Sequence, residues 1–379
     1  MKITIVCDVL GEENNGTTIA AMNLIRSLKA KGHNVTVVCP DESRRGQPGF
    51  VVMPTYNFGI FNNYVKKNGV TLGKADKELM GKALDGADVV HVMTPFSLGH
   101  AAAKMAYAMG IPITAGFHCQ AENITNHIFL MNAGFANRTV YRVIYKRLYR
   151  YCTAIHYPTQ FICDVFEGQV GPTNHYVISN GVNRDFHPVA EEKPAEYRDK
   201  FVVLSTGRYS REKSQHIIID AIAKSKYRDR IQLILAGAGP RREFLEERAK
   251  KAGIPTPVFG FYSHPEMVRA LNYADLYVHA AEIEIEAIAC LEAIACGKVP
   301  VIADSPRSAT RHFALGPENL FRCNDPEDLA RKMDAWLENP EKREECSKKY
   351  LGYAEEFTFD RCMDRMEEML RDAAEGRHA

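Results

Sequence analysis

Short β-branched runs alternate with helix-length amphipathic stretches along nearly the whole chain, and few folds accept that alternation. In the first half the runs are residues 3–6, 35–38, 89–92, 113–117 and 154–157. Between the first two, Ile19, Met22, Ile25 and Leu28 recur at near-helical spacing, and Gly32, after Lys29 and Lys31, supplies a helix stop. Strands separated by helices pair in parallel, each helix crossing back over the sheet. A second series runs through 201–205, 231–236, 258–259, 276–279 and 299–303. Residues 326–371 are expected to be helical throughout, and Phe357, Phe359, Met363, Met366 and Met369 in the final segment need a surface to pack on.

Two such series in 379 residues imply two domains, because single cores stop growing near roughly 250–300 residues. The expected organisation is an N-terminal Rossmann-like domain over 1–185, a polar linker over 186–199, a C-terminal Rossmann-like domain over 200–355, and a C-terminal helix over 356–379 that packs back on the first domain. The fold class is α/β, with two doubly wound parallel sheets. Hydrophobic residues at 46% and charged ones at 25% suffice for two cores, which excludes disorder. A formal charge of +1 offers no field to nucleic acid, so no such partner is expected. Ten cysteines without a C-x-x-C pair suggest neither a zinc ribbon nor a disulfide framework, and fit a reducing cytoplasm. The N-terminus enters a strand without the features of a signal peptide. No window nears the roughly 18 apolar residues of a spanning helix, so membrane contact is expected to be peripheral.

Parallel sheets bind ligands beyond the carboxyl ends of their strands, where helix N-termini offer N–H groups to phosphate. One such mouth is the loop 8–18, where Gly16 removes a Cβ that would meet a ligand, although Asn15-Gly16 would also make an ordinary turn. Another is 206–213, where the forked donors of Arg208 and the compact charge of Lys213 would neutralise a diphosphate without metal. A solvated surface pair is the alternative there. The third feature is the acid-rich run 282–300. Its Glu292 lies in a helix otherwise built of Ala, Ile, Leu and Cys, where a carboxylate needs hydrogen-bond donors such as sugar hydroxyls.

Glu284 and Glu292 are separated by seven residues, and the second is followed by Ala-Ile-Ala-Cys-Gly. This resembles the E-x7-E element of the family-4 retaining glycosyltransferases, which have the GT-B fold. Gly32-His33-Asn34-Val35, Asn180-Gly181-Val182-Asn183, Gly207-Arg208 with Lys213, and Ala236-Gly237-Ala238-Gly239-Pro240 stand in that family's order. The resemblance implies that Glu292 holds ribose hydroxyls and Glu284 hexose hydroxyls of a nucleotide-sugar. Arg208 and Lys213 would hold its diphosphate, with backbone N–H groups of Ile285, Glu286 and Ala287 and the helix start at Ile288 beside them. Gly16 and Gly207 would border the donor, and Gly260, Phe261 and Tyr262 would line the base. His118 matches the family histidine that reaches the donor sugar, and Glu122 would contact the acceptor. The implied catalytic set is His118, Glu284, Arg208 and Lys213, with no metal and no cofactor beyond the donor.

One departure stands out: the family's Glu-Gly-Phe-Gly is here Glu284-Ile285-Glu286-Ala287. The variant resembles a subgroup that makes glycolipids on diacylglycerol, and residues 303–310 point the same way. A UDP-sugar donor, with glucose as the hexose, follows from that resemblance. The acceptor signal is the apolar stretch 128–131, followed by 137–151, where Val140, Ile144, Leu148 and Tyr151 make one helical face and Arg138, Arg142, Lys146 and Arg150 another. Such a helix suits an anionic bilayer surface at the inner face of the cell membrane. The same pattern suits a helix packed on its own sheet with solvated arginines. Rival readings are transfer to a soluble glycan, to ceramide or to an inositol lipid, nucleotide-sugar epimerisation, and a non-catalytic binding protein on the same fold.

Overall fold

The computed structural model describes residues 1–11, 16–57, 72–122 and 134–377. The chain divides into two compact units, 1–180 with 362–379, and 181–361. The polar stretch 186–199 falls within the second.

In the first unit the strands are β1 (Lys2–Val6), β2 (Asn34–Cys39), β3 (Phe50–Val52), β4 (Val89–Val92), β5 (Ile113–Gly116), β6 (Ala154–Tyr157) and β7 (His175–Val177). They form one parallel sheet in the order β3-β2-β1-β4-β5-β6-β7, so the order reverses between β1 and β4. Its helices are α1 (Gly16–Ala30), α2 (Lys77–Leu84), α3 (Ser97–Ala108), α4 (Gly134–Arg147) and α5 (Gln160–Val170). The second unit carries β8 (Phe201–Thr206), β9 (Ile231–Ala236), β10 (Val258–Gly260), β11 (Leu276–His279), β12 (Pro300–Asp304) and β13 (Leu320–Arg322). These are parallel too, in the order β10-β9-β8-β11-β12-β13, reversing between β8 and β11. Its helices are α6 (Gln215–Lys224), α7 (Arg242–Ala252), α8 (His264–Tyr273), α9 (Ile288–Ala295), α10 (Pro326–Glu338) and α11 (Pro340–Ala354), and α12 (Phe359–Ala374) closes the chain. Strands buried on both faces explain the near-continuous Val, Ile and Leu of β8, β9 and β12.

Two expectations are corrected. The strands β3, β7 and β13 were absent from the sequence pattern: each is three residues long at a sheet edge and none is fully buried, so the apolar run that marks an interior strand is missing. The stretch 326–371, expected to be helical throughout, is three helices with two short breaks. Pro340 has no N–H to continue α10, and Asn339 instead caps α11, its side chain accepting from the Lys342 N–H at 3.0 Å. The second break lies at Glu355–Thr358, where Val182 N–H donates to the Phe357 carbonyl at 2.7 Å and Phe359 N–H to the Val182 carbonyl at 3.0 Å. Beyond it, α12 buries Cys362, Met363, Met366, Met369, Leu370 and Ala373. Around that face, Lys31 pairs with Asp364 and Glu367, His33 Nε2 lies 3.0 Å from Glu367, and Tyr176 donates to Asp372 at 2.8 Å.

Candidate functional site

In the second unit the carboxyl ends of β8 and β9 are joined backbone to backbone. Tyr209 N–H donates to the Ala238 carbonyl at 3.0 Å and Arg241 N–H to the Tyr209 carbonyl at 3.2 Å. A Cβ on Gly237 would sit 2.0 Å from the Gly207 carbonyl oxygen, and Gly207 itself has φ +141°, so these two glycines are what let the loops meet. The contact lifts Arg208 to the surface, where its guanidinium has no hydrogen bond or ion pair among the described residues. Gln215, at the start of α6, accepts the turn by donating to the Arg208 carbonyl at 2.9 Å. Lys213 ends a short 3-10 turn, Ser214 takes a left-handed conformation at φ 50°, and Lys213 thereby reaches Glu284.

Glu284 follows β11 and is held on both sides. Its carbonyl accepts from Ala309 N–H at 2.9 Å, and its Oε1 pairs with Lys213 Nζ and lies 3.3 Å from His279 Nε2. Burial pushes its carboxyl up, but the Lys213 charge and His279 outweigh it and hold the group at about 2. The sequence assigned Lys213 to a diphosphate and Glu284 to a hexose; here the two neutralise each other. Glu282 is occupied by Ser214, Asn324 and Arg307 at 3.2, 3.1 and 2.7 Å, and Glu286 is buried.

Ala287 stands where the family pattern has its second glycine, and it has φ 63° and ψ 62°. The left-handed backbone survives the loss of the glycine, at the strain an L-residue carries there. This turn starts α9 at Ile288 and places Glu292 on its second turn. The Glu292 carboxylate has no hydrogen bond or ion pair among the described residues, and burial raises it from the ordinary 4.5 to about 7. Glu284 and Glu292 both act electrostatically on the buried Tyr277 hydroxyl. Beyond β10, Gly260 accepts from Gly237 N–H at 2.6 Å, Phe261 is 77% exposed and Tyr262 is half-buried. Within this unit, then, Arg208 and Lys213 follow β8, Glu284 and the helix carrying Glu292 follow the adjacent β11, and Gly260 ends β10, two strands away from β8 on the other side, with Phe261 and Tyr262 beyond it.

In the first unit Gly16 opens α1 with nothing within 4 Å of a Cβ built on it, so no contact among the described residues requires glycine there. Residues 12–15 of this mouth lie outside the described residues. His118 follows β5 with its ring folded over Gly116; a Cβ on Gly116 would come within 2.4 Å of His118 Nε2. That nitrogen is buried without a hydrogen-bond partner among the described residues, beside a small cavity lined by His156, Asn180, Met363 and Met366 among others. Burial first, then His156 and His91, hold the ring well below ordinary imidazole basicity, so it is neutral. Glu122 accepts from Tyr141 at 2.8 Å and from Asn137 at 3.4 Å, tying it to α4.

The apolar side of α4 faces inward: Tyr141, Ile144 and Leu148 are buried, with Tyr141 and Tyr149 ringed around Phe117 and Phe166. Val140 and Tyr151, expected on that face, are only partly buried. Arg138, Arg142, Lys146 and Arg150 are exposed, as are Phe135 and Val143. The stretch 128–131 lies outside the described residues. No described helix is long and apolar enough to cross a membrane.

Sequence reasoning missed three groups. Asp8, at the end of β1, receives Leu98 and Gly99 N–H at 2.6 and 3.0 Å and so caps α3; burial raises it to about 6. Thr206, Tyr277 and His279 form a polar chain beneath Glu284. Cys163, Glu167 and His175 bring ligand atoms within 4.8 Å of one another. There the Glu167 Oε1 already accepts from Thr173 N–H, the Thr173 hydroxyl and His175 Nδ1 at 2.9, 2.6 and 2.8 Å, a satisfied hydrogen-bond knot.

Two predictions follow from α9. The folded chain holds an extra proton on Glu292 between about pH 4.5 and 7, so stability falls as pH rises through that window. Glu292→Gln should therefore raise Tm at pH 8 and lose that advantage near pH 5; a Tm difference independent of pH would refute the assignment. Ala287→Gly should stabilise the chain by about 1 kcal/mol in denaturant unfolding, by relieving the left-handed strain.

Comparison with known proteins bears on the family and the fold. The family profile described as glycosyltransferase family 4 matches residues 14–186, and that described as glycosyl transferases group 1 matches residues 188–350. An α-monoglucosyldiacylglycerol synthase of Acholeplasma laidlawii is 24% identical over 371 residues, covering 90% of this chain and 89% of its own. A GDP-mannose-dependent α-mannosyltransferase of Corynebacterium glutamicum is 26% identical, covering 80% and 72%. An Anabaena protein solved in complex with UDP superposes with TM-score 0.74 at 17% identity, covering 98% of this chain and 100% of that one. With two consecutive profiles spanning most of its length and two parallel-sheet units of the GT-B kind, the chain belongs to the family-4 retaining glycosyltransferases.

Proposed function

We propose that this glycosyltransferase moves glucose from UDP-glucose to a membrane lipid, diacylglycerol, at the inner face of the cell membrane. The observation that carries the donor half is the second unit's mouth: a cation paired to Glu284, and an Arg208 and a Glu292 carboxylate that have no hydrogen bond or ion pair among the described residues. Ribose hydroxyls supply the hydrogen bonds Glu292 lacks. As the diphosphate arrives, Lys213 turns to it and joins Arg208, while N–H groups of Ile285 to Ala287 add their dipoles. These groups stabilise the charge that develops as the nucleotide departs, so electrostatics takes the place of a metal. Attack comes from the face the nucleotide leaves, which retains configuration without a covalent intermediate; trapping a glycosyl-enzyme would refute that step. His118 is assigned to the donor sugar as a neutral imidazole, and Glu122 to the acceptor side.

Glucose and diacylglycerol are supported by the likeness to the Acholeplasma α-monoglucosyldiacylglycerol synthase. The Corynebacterium relative favours a second reading, mannose from GDP-mannose. A matrix of UDP-glucose, UDP-galactose, UDP-N-acetylglucosamine and GDP-mannose against diacylglycerol, ceramide, a sterol and no acceptor, scored by product mass, separates them. Glucosyldiacylglycerol is the expected product; a mannosylated product from GDP-mannose alone would replace this reading by the second.

The exposed Arg138, Arg142 and Lys146 on α4, with Phe135 on the same helix and Arg150 in the turn that follows it, supply the basic surface for an anionic bilayer. Each basic residue near such a surface is worth about 1 kcal/mol. Reversing the charge of Arg138, Arg142 and Lys146 together should abolish cosedimentation with anionic vesicles and leave UDP affinity unchanged; undiminished cosedimentation would remove the membrane from the proposal.

A further inference from the structure

The polar chain beneath Glu284 supports one more assignment, which rests on reading Glu284 as the hexose-binding carboxylate. His279 ends β11 and is 3% exposed; Tyr277, two positions earlier on the same face of the strand, is fully buried. Thr206 Oγ1 lies 2.7 Å from the Tyr277 hydroxyl, that hydroxyl 3.4 Å from His279 Nδ1, and His279 Nε2 3.3 Å from Glu284 Oε1. Burial keeps the Tyr277 phenol protonated. A phenol between a hydroxyl and an imidazole has one proton to give. When Thr206 donates to Tyr277, Tyr277 donates to Nδ1, and a neutral ring then carries its own proton on Nε2, towards Glu284.

Glu284 Oε1 is thus approached by two donors, Lys213 and His279, while its Oε2 has no partner among the described residues. If Lys213 alone held the carboxylate, its transfer to an arriving diphosphate would leave Glu284 buried, charged and free to rotate. We propose that His279 is a positioning residue that pins Glu284 through Oε1, so that Oε2 is presented to a single sugar hydroxyl while Lys213 turns to the diphosphate. At 3.3 Å the Nε2–Oε1 pair is within reach but poorly aligned for a hydrogen bond, and contacts of this kind align and tighten when the ligand is bound.

The test measures calorimetric affinities of the full chain for UDP and UDP-glucose, with GDP and GDP-mannose alongside, and steady-state kinetics. His279→Ala should weaken binding of the sugar nucleotide about tenfold, the scale of a lost hydrogen bond to a charged group, and change affinity for the nucleoside diphosphate less than about twofold. It should also lower kcat, because the hexose is no longer held in one orientation. His279→Gln, which restores an N–H donor, should regain most of both, and Tyr277→Phe should fall between. Equal weakening of sugar nucleotide and nucleotide, or no weakening of either, would overturn the proposal, as would failure of Gln to rescue a variant that melts like the wild type. Should His279→Ala fail to fold, Tyr277→Phe and His279→Gln decide alone. Glu284→Gln separates the two levels. If it leaves the preference for sugar nucleotide intact, the reading of Glu284 fails and takes His279 with it. If it erases that preference while the His279 and Tyr277 variants keep it, only the positioning role fails.

Discussion

An ionised carboxylate shielded from water persists only beside a counter-charge, and Glu284 has Lys213. The second unit's mouth is organised by that requirement. Lys213 and Glu284 are 71 residues apart in sequence, yet they follow β8 and β11, neighbours at the point where strand order reverses. The left-handed Ser214 lets the 3-10 turn end where the lysine can reach, and Glu282, held by Ser214, Asn324 and Arg307, fixes the segment from which Glu284 projects. Glu292 is the contrasting case. With no cation paired to it among the described residues, its carboxyl is pushed by burial up to about 7.

Much of this was legible in the sequence because it rests on local pattern. Alternating strand and helix signals gave the two parallel sheets, and the spacing of Glu284 and Glu292 singled out the acids at one mouth. The remainder depends on contacts between distant residues. Nothing near Asp8 reveals that it caps a helix about 90 positions on, and His279 reads as the end of an apolar strand until Thr206 and Tyr277 are placed beside it. The helix break at Glu355–Thr358 depends on Val182, and α4 turned inward the face whose neighbours, Tyr141 and Tyr149, close the aromatic cluster around Phe166.

Ala287 shows how a motif is preserved by shape when its letters change. Both family glycines are absent from the segment after Glu284. The second of those positions keeps the glycine-like conformation, so the N–H groups ahead of α9 are aimed as a glycine would aim them, with a methyl added. Strain of this kind persists where the surrounding packing over-determines the backbone, here between the Glu284–Ser308 bridge and the buried Cys290 and Leu291.

The closing helix has a consequence for biosynthesis. Met363, Met366 and Met369 lie in the short segment 362–379, which completes the apolar interior of a unit whose only other segment is 1–180. A ribosome therefore releases the entire second sheet before it releases the piece that seals the first. During that interval the early half carries an open apolar flank, and the later half, being sequence-continuous, is free to finish first.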